Sequence, residues 1–545
     1  MAKDSINRRE FIGAGIGGLA LATLARSAVV SAEKAPNIIM IVADDLGFAD
    51  LGCYGGEINT PHLDKMASEG MRFRQFYNCS VCYYSRAAML TGVNPRYGKG
   101  NLLKDNMLTI AEVLKGAGYA TAMSGKWHLG GGRFNRPTDR GFDEYYGSMI
   151  GALNFFDPTE SDPPFASHGS HKAAFVHNTQ QVKGVSEDYY VTDAITDHSI
   201  EQIKRFTKEG KPFFLHLAHF APHYPLHALP EDIAKYRGNY DDGYLVLREK
   251  RQRKMIDLGI IDEKWGLPDP DNRLGNWRYD LAVDSWDSIE DKGWERSKME
   301  VYAAMVDRMD QNIGRVMQTL KDTGIDDNTM VVFFSDNGGC ASDITPDTPS
   351  YKSYREYNRG KVIGTKESYV FCGPGWATAQ SSPFRRYKTW TYEGGISTPM
   401  IVRWKGKIRP NTITNEIGHL VDLFPTFMEM AGAKYPKEHK GVKTLPLEGL
   451  SLMPVLEGKK FRKERELGWY VFGSNAYRIG RWKLVWGITA KKWELYDMES
   501  DRTETYDLAE KYPKIVKKLS DAWQGWADRS DVSSDEKVEQ LSRNQ

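Results

Sequence analysis

The stretch NIIMIVADDLG, residues 37–47, decides the fold. Ile38 through Ala43 are apolar without a break, and two aspartates followed by Leu-Gly close the run. A segment this short and rich in Ile and Val suits a strand buried on both faces of a parallel sheet, with Asp44 and Asp45 at its carboxyl end. KPFFLHLAHFAPH (211–223) has the same form and ends in Pro222-His223, while TMVVFFSDNGG (329–339) ends in Asp336-Asn337 and two glycines. TPMIVRW (398–404) is a further short strand. Between these lie MLTIAEVLKGAG (107–118) and KMEVYAAMVDRMDQNIGRVMQTLKDTG (298–324), with apolar residues at i, i+3 and i+4 before a glycine stop, the pattern of helices. Strands alternating with helices predict an α/β domain, a large mixed and mostly parallel sheet flanked by helices. Such sheets bind ligands outside the carboxyl ends of their strands. Three strands that end there in Asp-Asp, Pro-His and Asp-Asn therefore locate a candidate active site.

From about residue 463 the texture changes. ELGWYVFGSNAYRIGRWKLVWG (466–487) and KWELYDMESDRTETYDLA (492–509) are aromatic, alternating and broken by turns, which predicts a smaller antiparallel sheet. PKIVKKLSDAWQGWADR (513–529) supplies a helix to pack on it. The expected organisation is a leader over 1–32, a catalytic domain over 33–462, a C-terminal α+β subdomain over 463–530 and a polar tail over 531–545. Residues 227–300 read as a charged, Trp-containing insertion without strand signal.

At the N-terminus, Arg8-Arg9 precede Phe11-Ile12, a Gly/Ala/Leu segment and the small residues around Val30-Ser31-Ala32. This is the form of a twin-arginine export signal of a bacterial protein. It predicts a periplasmic or extracellular destination, with the twin-arginine translocase as a partner. The apolar segment is too short and Gly-rich for a stable membrane span, and no later run approaches that length, so no span is expected in the mature protein. Lys and Arg total 73 against 72 Asp and Glu, and this balance gives no argument for nucleic acid or an anionic membrane as partner. Five cysteines (Cys53, Cys79, Cys82, Cys340, Cys372) are an odd number, so at least one has a fate other than an internal disulfide. Pairing of Cys340 with Cys372 stays open. Cys79 and Cys82 form a C-x-x-C, but no second such pair completes a zinc site.

Asp44, Asp45, Asp336 and Asn337 offer hard oxygen ligands, which suit Ca²⁺ or Mg²⁺ and not Zn²⁺. The stretch CYYSRAAMLTG, Cys82–Gly92, raises a separate question, because a core helix does not need an arginine four places after a cysteine. With GYATAMSGKWHLG (118–130), APHYP (221–225), SDNGG (335–339), PFRRYKTWTYEGGISTP (383–399), HLVDLFPTFMEMAG (419–432) and LEGLSLMPVLEG (447–458), it resembles, in order, the motifs of the type I, formylglycine-dependent sulfatases. These belong to the alkaline phosphatase superfamily, whose sheet architecture the resemblance implies. YAAMVDRMDQNIGRV (302–316) and DIAKYRGNYDDGYLVLREKRQRKM (232–255) are similar to the bacterial arylsulfatase-like branch.

The resemblance implies a chemistry. A formylglycine-generating maturase oxidises the signature cysteine, here Cys82, to an aldehyde that hydrates to a geminal diol. One hydroxyl attacks sulfur and displaces the alcohol; loss of the proton from the other expels sulfate and restores the aldehyde. Ca²⁺, with Mg²⁺ as the alternative, is implied on Asp44, Asp45, Asp336 and Asn337 beside the modified residue 82. Asp336 is also implied as acceptor of the nucleophile's proton, and Arg86 as the group that orients residue 82. Lys126 and Lys388 are implied to grip sulfate oxygens, His128 to contact the second hydroxyl, and His223 to protonate the leaving alcohol. His216, His219 and His227 match no catalytic position, and Trp376 and Trp390 read as loop packing.

Two positions depart from the family pattern. Tyr84 stands where Pro or Ala is expected, and Met89 stands where Leu is usual. Met for Leu nearly conserves volume. Tyr84 puts maturation of Cys82 in question, because the maturase reads the motif as a peptide. The substrates expected are aryl sulfates or sulfated carbohydrates. A phosphonate monoester or phosphodiester hydrolase using the same groups is the alternative, and a silent sulfated-glycan binder with an intact Cys82 thiol is the third reading.

Overall fold

The computed structural model describes residues 35–98, 102–132, 134–163, 174–272, 281–344, 350–487 and 491–532. The predicted leader, 1–32, lies outside the described residues, as does the tail beyond 532. The described residues form one compact unit.

The apolar run after Pro36 is the strand Asn37–Ala43, and every residue of it is buried. It lies near the middle of a ten-stranded sheet, between Thr329–Ser335 on one side and Phe213–Ala218 on the other, parallel to both. Beyond Phe213–Ala218 come Ala120–Lys126 and Glu144–Ser148, also parallel, and then the antiparallel edge strands Phe175–His177 and Gln180–Gln181. On the other side Met400–Trp404 runs antiparallel, followed by Met71–Phe73 and the edge strand Thr412–Thr414. The predicted mixed, mostly parallel sheet is thus observed, with a parallel centre and antiparallel flanks.

Alternation along the central strand divides the core. Ile39, Ile41 and Ala43 join a cluster with the helices Val191–Glu209 and Lys292–Asp322. Ile38, Met40 and Val42 face the other layer, with Cys82–Thr91, Ile110–Gly116 and Leu423–Met430. Both faces are covered, which is why these strands read as continuous apolar runs.

The helix expected over 298–324 begins earlier, at Lys292, where the Asp291 side chain accepts from Trp294 N at 2.9 Å. The start Lys292-Gly293-Trp294 is weakly apolar, so periodicity alone placed the boundary too late. The insertion carries the helices Pro230–Ala234 and Gly243–Asp257. The strands Ala120–Lys126 and Glu144–Ser148 were not foreseen: ATAMSGK and EYYGS mix small and polar residues, and their burial comes from neighbours on both faces.

The C-terminal sheet is the predicted antiparallel one: Glu466–Val471, Ser474–Ile479, Trp482–Gly487 and Lys492–Asp497 in sequence order, covered by the helix Pro513–Arg529. Its inner face shares a core with the large domain through Trp469, Val485, Tyr77 and Trp390. Trp469 Nε1 donates to Asn78 O at 2.8 Å, which ties this sheet to the loop that precedes Cys82. No helix among the described residues is long and apolar enough to cross a membrane.

Candidate active site

Cys82 is the first residue of the helix Cys82–Thr91. Val81 before it is extended (φ −141°, ψ 136°) and gives no side-chain cap, so the positive end of the helix is open to a group at residue 82. At the other end Gly92 takes φ 65°, where a Cβ would stand 2.8 Å from Phe424 Cβ. Glycine therefore fixes both the stop and the packing of this helix.

The strand Ala120–Lys126 delivers Lys126 as its last residue, and His128 follows in the left-handed region at φ 57°. Asp45, straight after the central strand, is also left-handed at φ 66°. Non-glycine residues held in this region cost energy, and such strain gathers at functional sites. The turn brings His128 Nδ1 to 3.3 Å from Cys82 Sγ. The ring rests over Gly151, where a Cβ would come within 2.5 Å of His128 Cε1.

Beneath Cys82 lies a layer of buried charge. Arg86, one turn along the helix, donates to Asp336 Oδ2 at 2.7 Å and to the Lys126 carbonyl at 2.8 Å. Lys126 Nζ bonds to Asp44 Oδ2. Lys388 Nζ donates to Asp45 Oδ1 at 2.6 Å, and Asn337 Nδ2 donates to the same oxygen at 2.7 Å. His223 Nε2 is 3.5 Å from Asp45 Oδ2. The structure thus gathers every residue expected from the sequence: Asp44, Asp45, Cys82, Arg86, Lys126, His128, His223, Asp336, Asn337 and Lys388.

Their placement refines the expected roles. Cys82, His128, His223 and Lys388 line a cavity of about 180 Å³. Lys126 is fully buried and absent from that wall, so its direct partner is Asp44. The wall residues that sequence reasoning missed are mostly apolar or aromatic, with Ser342 and Thr389 as polar members. Phe371 stacks on Tyr224 with centroids 4.0 Å apart and planes at 12°, and Tyr83 and Phe472 also line the wall. Tyr224 stood within a quoted motif; Phe371 and Phe472 carried no signal.

Burial and neighbouring charge set the protonation states. Burial raises the Asp44 carboxyl, even against Lys126. Burial and then Asp44 push Asp336 up to about 6. Burial alone would raise Asp45 as well, but Lys388 and His223 outweigh it and hold that carboxyl well below the usual range. His223 is drawn down to about 3 by burial, with Asp45 opposing. Burial, Lys126 and Arg86 hold His128 well below the ordinary imidazole value. The Cys82 thiol is raised by burial, against the pull of Lys126 and Lys388.

A hard cation fits this layer. Asp44 Oδ1, Asp45 Oδ2 and Asn337 Oδ1 are buried oxygens without a hydrogen-bond partner. An unpaired buried acceptor costs about 1–3 kcal/mol, more when charged, so three together mark a place for a positive group. Asp44, Asp45 and His223 bring one potential ligand atom each within 4.8 Å of one another, which places His223 at the margin of this layer. With three carboxylates against Arg86, Lys126 and Lys388, the ionised layer is neutral, and a dication would leave it positive toward an anionic substrate.

Two of the remaining histidines make structural contacts to the backbone. His216 Nδ1 lies 3.3 Å from Met40 O, and His227 Nε2 is 2.6 Å from Ser368 O. Trp376 and Trp390 are buried in the core. All five cysteines are free thiols, so Cys340 and Cys372 are unpaired; Gln380 Nε2 lies 3.0 Å from Cys372 Sγ. Tyr84 has an account of its own. It points away from the cavity into an aromatic ladder, with edge contacts to Tyr83 at 4.5 Å and Tyr97 at 4.7 Å. Tyr97 meets Tyr470 at 5.1 Å and Trp526 at 6.0 Å, so the departure from the family pattern packs the Cys82 helix against the C-terminal sheet and helix.

Comparison with known proteins agrees with this geometry. The sulfatase family model matches residues 36–433, and the model of the N-sulphoglucosamine sulphohydrolase C-terminal region matches residues 385–526. An uncharacterised sulfatase of Schizosaccharomyces pombe is 35% identical over 530 residues, covering 90% of this chain and 93% of its own. The arylsulfatase of Klebsiella aerogenes is 34% identical over 469 residues, covering 82% of this chain and 97% of its own. Among solved structures, Ps i-CgsB in complex with k-i-k-neocarrahexaose superposes with TM-score 0.63 at 26% identity, over 91% of this chain and 93% of that one.

Proposed function

The chain belongs to the sulfatase family of the alkaline phosphatase superfamily and hydrolyses sulfate esters; we propose that it does so at residue 82, after conversion of Cys82 to formylglycine. The observation that carries this reading is the place of Cys82 at an open helix start, 3.3 Å from His128 and above the charged layer. Cys82 Sγ stands in for the oxygen that the modified residue would carry.

Asp44, Asp45, Asp336 and Asn337 would hold the divalent cation, and their all-oxygen character favours Ca²⁺, with Mg²⁺ as the alternative. Bound there, the cation supplies Lewis-acid polarisation. Arg86 fixes the helix start over the layer through its bonds to Asp336 and the Lys126 carbonyl. Lys388, at the cavity wall, meets the anionic substrate, and its buried charge is worth more there than in water. Lys126 acts through Asp44, as a positioning residue. His128 serves the hydroxyl of residue 82 that reforms the aldehyde, and Asp336 takes the proton from the attacking one. His223, which lines the cavity, faces the leaving oxygen.

The aromatic walls suit an aryl ring or a sugar face. The Klebsiella aerogenes relative is named arylsulfatase, and the Ps i-CgsB structure is a complex with k-i-k-neocarrahexaose, so both substrate classes stay within the proposal. We also propose export through the twin-arginine route to the periplasm or beyond, on the Arg8-Arg9 leader, after action of a formylglycine-generating maturase.

Side-by-side turnover of an aryl sulfate and an aryl phosphonate by maturase-coexpressed protein tests the reading. Faster sulfate turnover that a chelator abolishes and Ca²⁺ restores is the expected result. Preferential phosphonate turnover would move the assignment to the phosphonate monoester hydrolases, and binding without turnover of either would favour the silent binder.

A further inference from the structure

A second group of metal-ligating side chains stands away from this cavity, at the far edge of the large sheet. Glu144 opens the strand Glu144–Ser148, His177 ends the edge strand Phe175–His177, and His198 projects from the helix Val191–Glu209 that covers this part of the sheet. The register pairs His177 with Tyr146, two residues from Glu144, so His177 and Glu144 share one face of the sheet. That is the face on which the helix lies, because Tyr146 touches both rings, with centroids 5.8 Å from His177 and 5.4 Å from His198.

We propose that Glu144, His177 and His198 form a second cation site, suited to a transition metal of the zinc class. One ligand atom from each lies within 4.8 Å of the other two, and His177 Nε2 is 3.8 Å from Glu144 Oε2. A tetrahedral zinc site holds its ligand atoms about 3.4 Å apart, given metal–ligand distances near 2.0–2.2 Å. The group must therefore close by only about 1.4 Å at most, and His177, 56% exposed, is free to turn inward.

The surroundings have the form of an outer shell. His198 is buried, and its Nδ1 lies 2.8 Å from Ser124 Oγ on the neighbouring strand, which orients the ring and leaves Nε2 as its donor. Gln202 Nε2 is 3.4 Å from that nitrogen, a contact that a bound metal would replace, and Gln202 Oε1, one turn along the helix, is buried without a hydrogen-bond partner. Arg205 and Asn178 each donate to Glu144 at 3.0 Å, on Oε1 and Oε2 respectively, and hold the carboxylate in place. The charge of Arg205 opposes a dication, so this site binds less tightly than a closed structural zinc site.

Two imidazoles and one carboxylate choose zinc-class metals, while the all-oxygen layer beneath Cys82 chooses Ca²⁺ or Mg²⁺. The two sites should therefore load separately. A metal here would join the edge strand to the covering helix.

The test uses untagged full-length protein with Ca²⁺ in excess, titrated with Zn²⁺ by calorimetry and with Co²⁺ by visible absorption. The expected result is one equivalent of Zn²⁺, a visible Co²⁺ band, and at least tenfold weaker binding with loss of that band in His177→Ala. Absence of Zn²⁺ binding, or binding that His177→Ala leaves unchanged, overturns the site. Glu144→Gln repeats the test on a second ligand should the first variant fail to fold.

Discussion

Two clusters of buried charge sit a few residues apart along one segment, Lys388 belonging to one and Glu393 to the other. In the second cluster Lys483 Nζ donates to Glu393 Oε1 at 2.8 Å and to Glu504 Oε1 at 2.7 Å. Arg502, Tyr77 and Ser397 each donate to Glu393 Oε2 at 2.9 Å, and Glu393 N donates to Glu504 Oε2 at 2.8 Å. Every carboxylate oxygen there has a partner. In the layer beneath Cys82, Asp44 Oδ1, Asp45 Oδ2 and Asn337 Oδ1 receive no hydrogen bond. Burial is alike in the two, as is the balance of charge; satisfaction is what differs. The filled cluster clamps the C-terminal sheet to the large domain, while the other keeps oxygens for a ligand. Unsatisfied buried oxygens, more than buried charge itself, separate a site from a clamp.

Substitutions in the two clusters should divide the same way. The largest effect is expected for Cys82→Ala, which should lower aryl sulfate turnover by roughly 10⁴-fold or more while leaving the thermal transition nearly unchanged. Next, Asp44→Asn should weaken the catalytic cation by about 100-fold or more, by losing a ligand charge. It should cost less stability than Lys483→Ala, because Asn keeps an acceptor oxygen beside Lys126 Nζ. The pH dependence of cation affinity sharpens the point. Asp336, raised to about 6, must lose its proton on binding, so affinity should level off above that pH. Below it, affinity should fall by up to about tenfold per pH unit for each proton released, readable by calorimetry at several pH values.

The filled cluster predicts the converse. Lys483→Ala strands two buried carboxylates and should cost about 3–5 kcal/mol of stability, with turnover per folded molecule largely kept. A Lys483→Ala variant that folds normally but loses activity would break the distinction between the clusters. The smallest effect is expected for Tyr84→Ala, at about 0.5–1.5 kcal/mol for each aromatic pair lost. If residue 82 of that variant is converted to the same extent as in the parent protein, Tyr84 belongs to packing and not to maturation.

The sequence made the parallel centre of the sheet legible because its strands are buried on both faces and end in polar motifs. It also showed the acidic members of the site together with Asn337 and His223, since Asp44-Asp45, Asp336-Asn337 and His223 follow directly from those strand ends. The roles of Arg86, Lys126, His128 and Lys388 came only from the motif resemblance, and ATAMSGK, which delivers Lys126, does not read as a strand. The cavity walls stayed hidden for a different reason: Phe371 and Phe472 are ordinary apolar residues until the fold brings them beside Cys82. The pairing of Lys126 with Asp44, away from the wall, likewise depends on tertiary geometry that no spacing encodes.

The most direct measurement is the mass of the peptide that carries residue 82, from protein produced with a formylglycine-generating maturase. The account predicts a mass about 18 Da below the thiol form, the change expected when a thiol becomes an aldehyde, in the same preparations that turn over aryl sulfate. An intact, alkylatable Cys82 in fully active protein would contradict it.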